Sequence, residues 1–535
     1  MTAVSEARPA LRYRAPTLGT VWLFLAVALP TLAALLVPIP AVDLAYQLRA
    51  GGMILDTGQI PSTDTWTFTA FGAPWTDQQW GAQVLLTLVY RATGWGGLFL
   101  LRAALVALTF GLILALVLRR DPLLNRRVAA LLVLTAFVVM LPTLALRPQL
   151  FAIALFVLVL LILATRPRGS RVHSRWIWAI PLITLAWANL HGSFPLVFVL
   201  LALALFADAL GGNGVVELGG PTLASIVASC ITPFGSGVWA YVVQIGTNST
   251  IASRVSEWRP PGLTDLPGIL FYLSVAAVVV WLIVRARRRG AGPFRPDEPG
   301  RPPLRHPRPF PASPALLTLL LFAALTAYTG RGLAWWPPAA LFVVTPLLRV
   351  RRDADGSLID PQLEWGSPAK SSADRRSPLN AVIIGVIVLV GIVRLPFWQP
   401  TSSLGVPAGT LSYAPTGIAS TLADLRFRTS RGPLGFGRVW APQVWGSWLE
   451  LEAPMSSYGV DSRIEIFPSS VWADYDTVEG ARPGWQDVLL RDQVGVVVTT
   501  AGTPLDAAVR ADAEFAQLYS DTDGTVWYRD TRVGG

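Results

Sequence analysis

The side chains able to do chemistry gather in the segment that follows the first apolar run, VDLAYQLRAGGMILDTGQIPSTDTWTFTAFGAPWTDQQWGAQ from Val42 to Gln83. Asp43 stands at the apolar boundary, four residues before Gln47 and six before Arg49, so on a helix Asp43 and Gln47 share a face. A carboxylate at a bilayer boundary is costly unless solvated or paired, which makes Asp43 a candidate for function; an ordinary interfacial aspartate that helps end the run is the plain alternative. Asp56, Asp64 and Asp77 add carboxylates and Gln79 an amide, while Trp66, Phe68, Phe71, Trp75 and Trp80 among Pro61, Gly72 and Pro74 describe a packed cap rather than a disordered loop. Further polar stretches interrupt the later apolar runs. At Arg147, Pro148 and Gln149 a guanidinium can grip a phosphate by a forked contact, or can simply snorkel to the interface. Arg331, just before Trp335 and Trp336, has the same two readings. Asn189 and His191 sit at a tight turn, where the imidazole can polarise a substrate, ligate a metal or only hold the turn. Glu257 lies beside Trp258, a pairing suited to sugar hydroxyls and a sugar face, or else to a salt bridge with Arg254 or Arg259.

The elements that must position these residues are set by composition. With 53% hydrophobic and 14% charged side chains in 535 residues, and a mean hydropathy of +0.50, the chain is too apolar for an ordinary soluble protein. Windows long enough to cross the hydrocarbon core fall near 20–39, 96–118, 127–146, 149–166, 175–190, 194–211, 221–245, 266–284, 314–329, 332–349 and 380–396, about eleven spans. The stretch 78–93 is short and polar-studded, which predicts a helix lying at the interface. The first run lacks a small-residue cleavage site and reads as a retained span. Arginines cluster at 119–127, 166–175, 285–289 and 349–352; all four loops face the cytoplasm if 78–93 does not cross, as does the amino terminus. That parity exports the loop 40–95, the turns at Arg147, His191 and Arg331, the stretch 246–265 and the carboxy-terminal tail. The Pro- and Arg-rich segments 287–313 and 350–378 read as solvated cytoplasmic loops.

The formal charge of +10 therefore reports loop arginines that orient spans, and no nucleic acid partner is expected. Lys370 is the only lysine, a bias of composition rather than of phosphate reading. Cys230 is alone, so an intramolecular disulfide is excluded, and the lack of a second exported histidine excludes a His-cluster zinc site. Beyond the last span, glycines, aromatics and aspartates return. Strand-like runs at 437–441, 494–500 and 525–529 around a helical candidate at 504–518 predict a small α/β domain. Its Trp445, Trp448, Trp472, Asp461, Asp474 and Tyr475 suit carbohydrate stacking, or equally a buried aromatic core. The expected organisation is a cytoplasmic segment 1–19, a transmembrane domain 20–398 and an exported soluble domain 399–535.

A first span followed by an acidic residue, a long exported loop, many further spans and an exported terminal domain resembles the GT-C class of membrane glycosyltransferases. The order D, G, IP, D, G, PW, QW over 43–80 carries the local likeness. The resemblance implies an α-helical polytopic protein of the bacterial plasma membrane that moves a sugar from a polyprenyl-phosphate donor to a cell-envelope glycan, lipid or protein. It implies Asp43 as the first-loop carboxylate, acting as general base or helping to hold a divalent cation. It implies a donor and acceptor site assembled from Gln47, Asp64, Asp77, Gln79, Arg147, Gln149, Asn189, His191, Glu257 and Arg331. Many members of the class carry adjacent acidic residues here, whereas Val42 and Leu44 flank Asp43, so a second carboxylate would have to fold back from Asp56, Asp64, Asp77 or Glu257. Two other classes stay open: a non-catalytic envelope scaffold, which the missing acidic pair favours, and a transporter, for which Arg102 and Asp208 inside spans are the residues to check. The sequence contains no P-loop, Rossmann fingerprint, nucleophile elbow or metalloprotease histidine pair.

Overall fold

A computed structural model of the chain describes residues 15–166, 175–211, 216–290, 314–348, 375–429, 438–454 and 457–529. Most of the Pro- and Arg-rich loops, with Arg168, Arg171, Arg349, Arg351, Arg352 and Lys370, lie outside the described residues. The membrane part is built from α1 (Leu18–Leu36), α2 (Ala41–Thr57), α3 (Trp80–Arg120), α4 (Arg126–Met140), α5 (Pro148–Thr165), α6 (Ala179–Leu190) and α7 (Leu196–Gly211). It continues through α8 (Val216–Ser229), α9 (Gly237–Gly246), the single turn and a half of α10 (Ser249–Arg254), α11 (Leu266–Gly290), α12 (Pro314–Tyr328), α13 (Trp336–Val344) and α14 (Pro378–Val393). Five helical stretches, Leu18–Leu36, Trp80–Arg120, Arg126–Thr143, Pro148–Thr165 and Leu266–Val284, are each long and apolar enough to cross a membrane. Shorter apolar helices at Leu196–Leu210, Gly237–Gly246, Pro314–Tyr328, Trp336–Leu348 and Pro378–Val393 pack among them, so length alone does not yield eleven spans among the described residues.

One span assignment changes. The window 221–245 is two helices, α8 and α9, because Pro233 and Gly235, the latter at φ +56°, break the chain between them. The helix expected over 78–93 is indeed separate from that over 96–118: the 41 residues of α3 are two helices joined at Gly94, whose φ +63° and ψ −161° are non-helical, a conformation side chains with a Cβ rarely adopt. One face of this first arm, with Gln83, Leu86 and Thr87, is buried against α2, while Leu85, Leu88 and Arg91 on the other face are exposed. A Cβ on Gly51 of α2 would lie 2.3 Å from the Gln83 carbonyl oxygen, so the two helices touch backbone to backbone, and the Thr87 hydroxyl donates to the Leu48 carbonyl at 3.1 Å.

After α14 the chain forms α15 (Thr416–Thr429), α16 (Gln443–Glu452), α17 (Ser469–Glu479), α18 (Trp485–Arg491) and α19 (Pro504–Ala511). Around them runs a five-stranded sheet. Numbering from β1 (Ile39–Pro40) and β2 (Leu411–Ser412), its strands are β3 (Arg438–Trp440), β4 (Ser457–Tyr458), β5 (Val494–Thr500), β6 (Phe515–Ser520) and β7 (Gly524–Arg529), in the order β4-β3-β5-β7-β6. The three strands on the β4 side are parallel and β7 runs antiparallel to both its neighbours. The helix expected over 504–518 ends at Ala511, and Phe515–Ser520 enters the sheet instead.

The tail is stitched to the loop after α1. β1 pairs in parallel with β2, the Phe68 amide donates to the Tyr458 carbonyl at 3.0 Å, and α16 packs on α2. At the seam Arg463 is fully buried: Nη2 donates to Asp64 at 2.7 Å and Nε to Asp461 at 2.8 Å, with the guanidinium 4.1 Å from the Trp66 ring centroid and 4.6 Å from that of Trp75. Taking a guanidinium out of water is tolerable only with such paired partners.

Candidate active site

A polar cavity of about 290 Å³ lies between the helices and the tail domain, near the lower end of the ~300–1,000 Å³ typical of small-molecule sites. Of the residues singled out in the sequence, Asp43, Gln47, Gln79, Arg147, Gln149, His191, Glu257 and Arg331 line it. They come from six separate places in the chain, His191 from the end of α6. Asp43 and Gln47 lie one turn apart in α2, which starts afresh after the short strand β1 rather than continuing α1. Gln79 precedes the first turn of α3, and its Oε1 accepts from Gln47 Nε2 at 2.9 Å. Arg147 is the extended N-cap of α5, with Pro148 pre-setting the first helical turn. Glu257 lies in the 3₁₀ turn Ser256–Trp258 and Arg331 in the 3₁₀ turn Gly330–Ala334; the two turns are tied by Gly330 N donating to Arg259 O at 2.7 Å and Thr329 Oγ1 to Glu257 O at 3.1 Å.

The electrostatic centre is Arg147. Its Nε meets Asp43 Oδ2 at 2.9 Å and its Nη1 meets Glu257 Oε1 at 2.5 Å, so one guanidinium bridges two carboxylates. Burial alone would weaken that charge, but the carboxylates of Asp43 and Glu257 overcome it and raise the Arg147 pKa. Arg331 is different. Its guanidinium lies over the Trp258 ring at 4.6 Å, its Nε is 3.9 Å from Glu257 and makes no hydrogen bond, and burial lowers its pKa. A cation in that condition favours the arrival of an anion.

His191 has a fixed tautomer. The Ser193 amide donates to Nδ1 at 3.1 Å, and the Ser193 hydroxyl, itself accepting from Trp187 Nε1 at 3.1 Å, lies 2.8 Å from the same nitrogen. Nδ1 is therefore the acceptor and the ring proton belongs on Nε2. Burial, helped by the Arg331 charge, pushes the His191 pKa down to about 3, leaving a neutral hydrogen-bond donor.

Three expected site residues lie elsewhere. Asp64 is wholly buried, capping the amides of Trp66 and Thr67 and pairing with Arg463. Asp77 accepts from Gln83 Nε2 at 2.5 Å, and burial, partly opposed by that bond, raises its pKa to about 7. Asn189 holds the turn, accepting from Trp80 Nε1 at 3.0 Å and donating to Leu185 O and Ile231 O. All three are consumed in shaping the loop. In the tail, Trp445, Trp448 and Trp472 are buried in packing, so they form core rather than a stacking surface. The two ionisable residues inside spans have static partners as well: Arg102 donates to the Pro38 carbonyl at 3.2 Å and to those of Ala34 and Val37, and Asp208 pairs with Arg166 at 2.5 Å.

The cavity is also lined by Tyr46, Tyr241, Gln443 and Glu465, which sequence reasoning passed over, and by Ser462 and Arg254, the latter expected only as a salt-bridge partner of Glu257. Ser462 Oγ donates to the Val42 carbonyl at 2.7 Å, which fixes the tail segment beside Asp43. The signal available for Glu465 was a carboxylate flanked by Ile464 and Ile466 in a segment already marked by Asp461 and Arg463. A divalent cation does not fit the residues present: Asp43 and Glu257 are both engaged by Arg147, and no group of three His, Cys, Asp or Glu side chains suited to a metal occurs among the described residues.

Two further cavities open from the same residues. One of about 330 Å³ is mostly apolar, lined by Leu196, Val199, Val242, Leu325 and Trp335, and shares Gln149, His191 and Arg331 with the polar cavity. The other, about 230 Å³, is bounded by Pro142, Thr143, Pro260 and Asp265 and shares Arg147, Gln149, Glu257 and Arg331.

No protein-family model and no curated protein sequence matches the chain. Solved structures do. The Archaeoglobus fulgidus oligosaccharyltransferase tethered with an acceptor peptide matches with a TM-score of 0.52 at 12% identity, over 96% of this chain and 74% of that one. The same enzyme in complex with an inhibitory peptide and a dolichol-phosphate gives 0.50 at 13% identity with the same coverage. The arabinofuranosyltransferase AftD from mycobacteria gives 0.50 at 14%, over 96% of this chain and 42% of that one. At such identities the likeness is one of fold, and the fold of this chain is that of the GT-C membrane glycosyltransferases, helical with a small C-terminal sheet domain.

Proposed function

We propose that this chain is a membrane glycosyltransferase that takes a sugar from a polyprenyl-phosphate donor and passes it to a cell-envelope acceptor on the exported face of a bacterial plasma membrane. The observation that carries the reading is the junction at Arg331 and Gln149, where a polar cavity and a mostly apolar one meet beside two half-buried guanidinium groups. An amphiphile with a charged phosphate between a sugar and a hydrocarbon chain matches that arrangement part for part. The phosphate would lie against Arg331 and Arg147, the isoprenoid chain among Leu196, Val199 and Leu325, and the sugar in the polar cavity near Gln47 and Gln79. The archaeal oligosaccharyltransferase of the same fold has itself been solved with a dolichol-phosphate, a lipid phosphate of this chemical kind.

In this scheme Arg147 and Arg331 stabilise the charge that grows on the leaving phosphate, the kind of preorganised electrostatics that dominates transfer chemistry. The His191 Nε2–H adds a neutral donor at the same edge. Asp43 and Glu257 hold Arg147 in place, and no step is routed through a metal. The test is sugar transfer by purified protein in lipid, from radiolabelled polyprenyl-phosphate sugars to an envelope extract. Asp43→Asn loses the carboxylate that orients Arg147 and should abolish most of the transfer; wild-type transfer by that variant would remove Asp43 from the site.

A further inference from the structure

We propose that Glu465, carried into the cavity by the C-terminal domain, is the group that accepts the proton of the attacking acceptor hydroxyl. This rests on the transferase reading above. Three carboxylates line the polar cavity, from Asp43, Glu257 and Glu465. Asp43 and Glu257 each spend one oxygen on Arg147, and protonating either would discharge the ion pair that holds that guanidinium. Among the described residues Glu465 alone of the three forms no ion pair and no side-chain hydrogen bond; its own backbone amide is its hydrogen-bond partner, and Arg463 acts on it only through its charge.

Position and environment agree with the task. Glu465 sits in the 3₁₀ turn Ile464–Ile466, whose preceding residues are anchored at both ends of the seam: Arg463 to Asp64, and Ser462 to the Val42 carbonyl at 2.7 Å. The carboxylate is therefore held at a fixed place relative to Asp43 and α2 although some four hundred residues separate them. The groups that face it are Asp43 and Tyr46 of α2, Asp77 of the first loop, Tyr241 of α9, and Asp461 and Arg463 of its own segment. Burial, opposed by its own amide and by Arg463 and reinforced by Asp461 and Asp43, raises the Glu465 pKa to about 7. A base poised there is strong enough to take a proton and about half free of one near neutral pH.

The step balances without a co-reactant. The acceptor oxygen forms a bond to the anomeric carbon, the bond from that carbon to the phosphate oxygen breaks with its electron pair leaving on the phosphate, and the acceptor proton passes to a Glu465 carboxylate oxygen. The tail domain thus completes the reaction centre.

The experiment compares wild type with Glu465→Gln in the same lipid-based transfer assay, across a pH series and with the same panel of radiolabelled polyprenyl-phosphate sugars. Wild-type rate should climb through an inflection near pH 7, because the deprotonated carboxylate is the active form. Glu465→Gln should fall by ~10²–10⁴-fold and lose the inflection while retaining the donor in equilibrium binding. A Glu465→Gln enzyme with the wild-type rate, or with the wild-type inflection, overturns the proposal. If glutamine at 465 prevents folding, Glu465→Asp gives the answer: a lowered rate with the inflection kept supports it, an undiminished rate overturns it. Infrared difference spectra of wild type minus Glu465→Gln should show one carboxylic acid band that disappears as pH rises through about 7; a spectrum without that band overturns the proposal whatever the rates. Folded wild type that transfers no sugar from any donor refutes the transferase reading itself, and the role of Glu465 with it.

Discussion

Replacing Arg463 by methionine should detach the tail from the first loop more than any other single change at the seam. The side chain is fully buried and donates to two carboxylates, Asp64 at 2.7 Å and Asp461 at 2.8 Å, neither of which touches water. Methionine keeps much of the contact with Trp66 and Trp75 but leaves two buried carboxylates facing an apolar chain. Removing one partner of a buried ion pair costs ~3–5 kcal/mol, chiefly through the charge left behind. In an opening equilibrium between docked and undocked tail that is a shift on the order of 10²- to 10³-fold. The assay is limited proteolysis of purified protein in detergent, which reads the open population when opening is fast relative to cleavage. Cleavage of Arg463→Met should accelerate by at least the lower figure, and combining it with Asp64→Asn and Asp461→Asn should recover part of the loss by removing the stranded charges. A single variant cleaved at the wild-type rate would mean that the network is ornamental and that the strand pairing of β1 with β2, the Phe68–Tyr458 bond and the packing of α16 on α2 hold the seam.

Two further outcomes are open to measurement. The His191 pKa near 3 makes the ring uncharged throughout the working range, so His191→Gln, which keeps a side-chain N–H donor, should leave the pH profile of transfer unchanged in shape, whereas a change of shape would assign the ring a titrating role. Asp77 has a folded-state pKa of about 7 against an ordinary 3.8, so the folded state holds its proton longer than the unfolded one and stability falls as pH rises from about 4 to about 7. Asp77→Asn keeps an oxygen for Gln83 and removes the penalty of up to about 4 kcal/mol, so it should match wild type near pH 4 and exceed it above pH 7 in chemical unfolding; equal stabilities at both ends would refute the burial argument.

The sequence made visible those site residues whose strangeness is local. Asp43, Arg147, His191, Glu257 and Arg331 are polar groups at the ends of apolar runs, where a charge needs a reason, and all five meet in one cavity. Asp64, Asp77 and Asn189 had the same local strangeness, yet they are spent on loop amides, a neighbouring glutamine and a turn. What separates the two groups is which partner arrives from far along the chain, and hydrophobic periodicity carries no record of that. Glu465 was missed for the same reason, since only the folded tail brings it and Ser462 beside Val42 and Asp43. The helices were legible where apolar runs were long. They were misread where a proline and a left-handed glycine cut one run in two at 233–235.

The seam also has a history in time. Asp64 waits for a partner 399 residues further along the chain, and at ~5–20 residues per second the ribosome needs roughly 20–80 s to deliver it. Throughout that interval the first loop has emerged with a carboxylate that has no arginine and a two-residue strand that has no neighbour. The cavity cannot close until the last quarter of the chain has been made and placed beside α2. A nascent or truncated molecule therefore lacks a finished cavity, and the polar loop must be kept hydrated or chaperoned until the tail arrives.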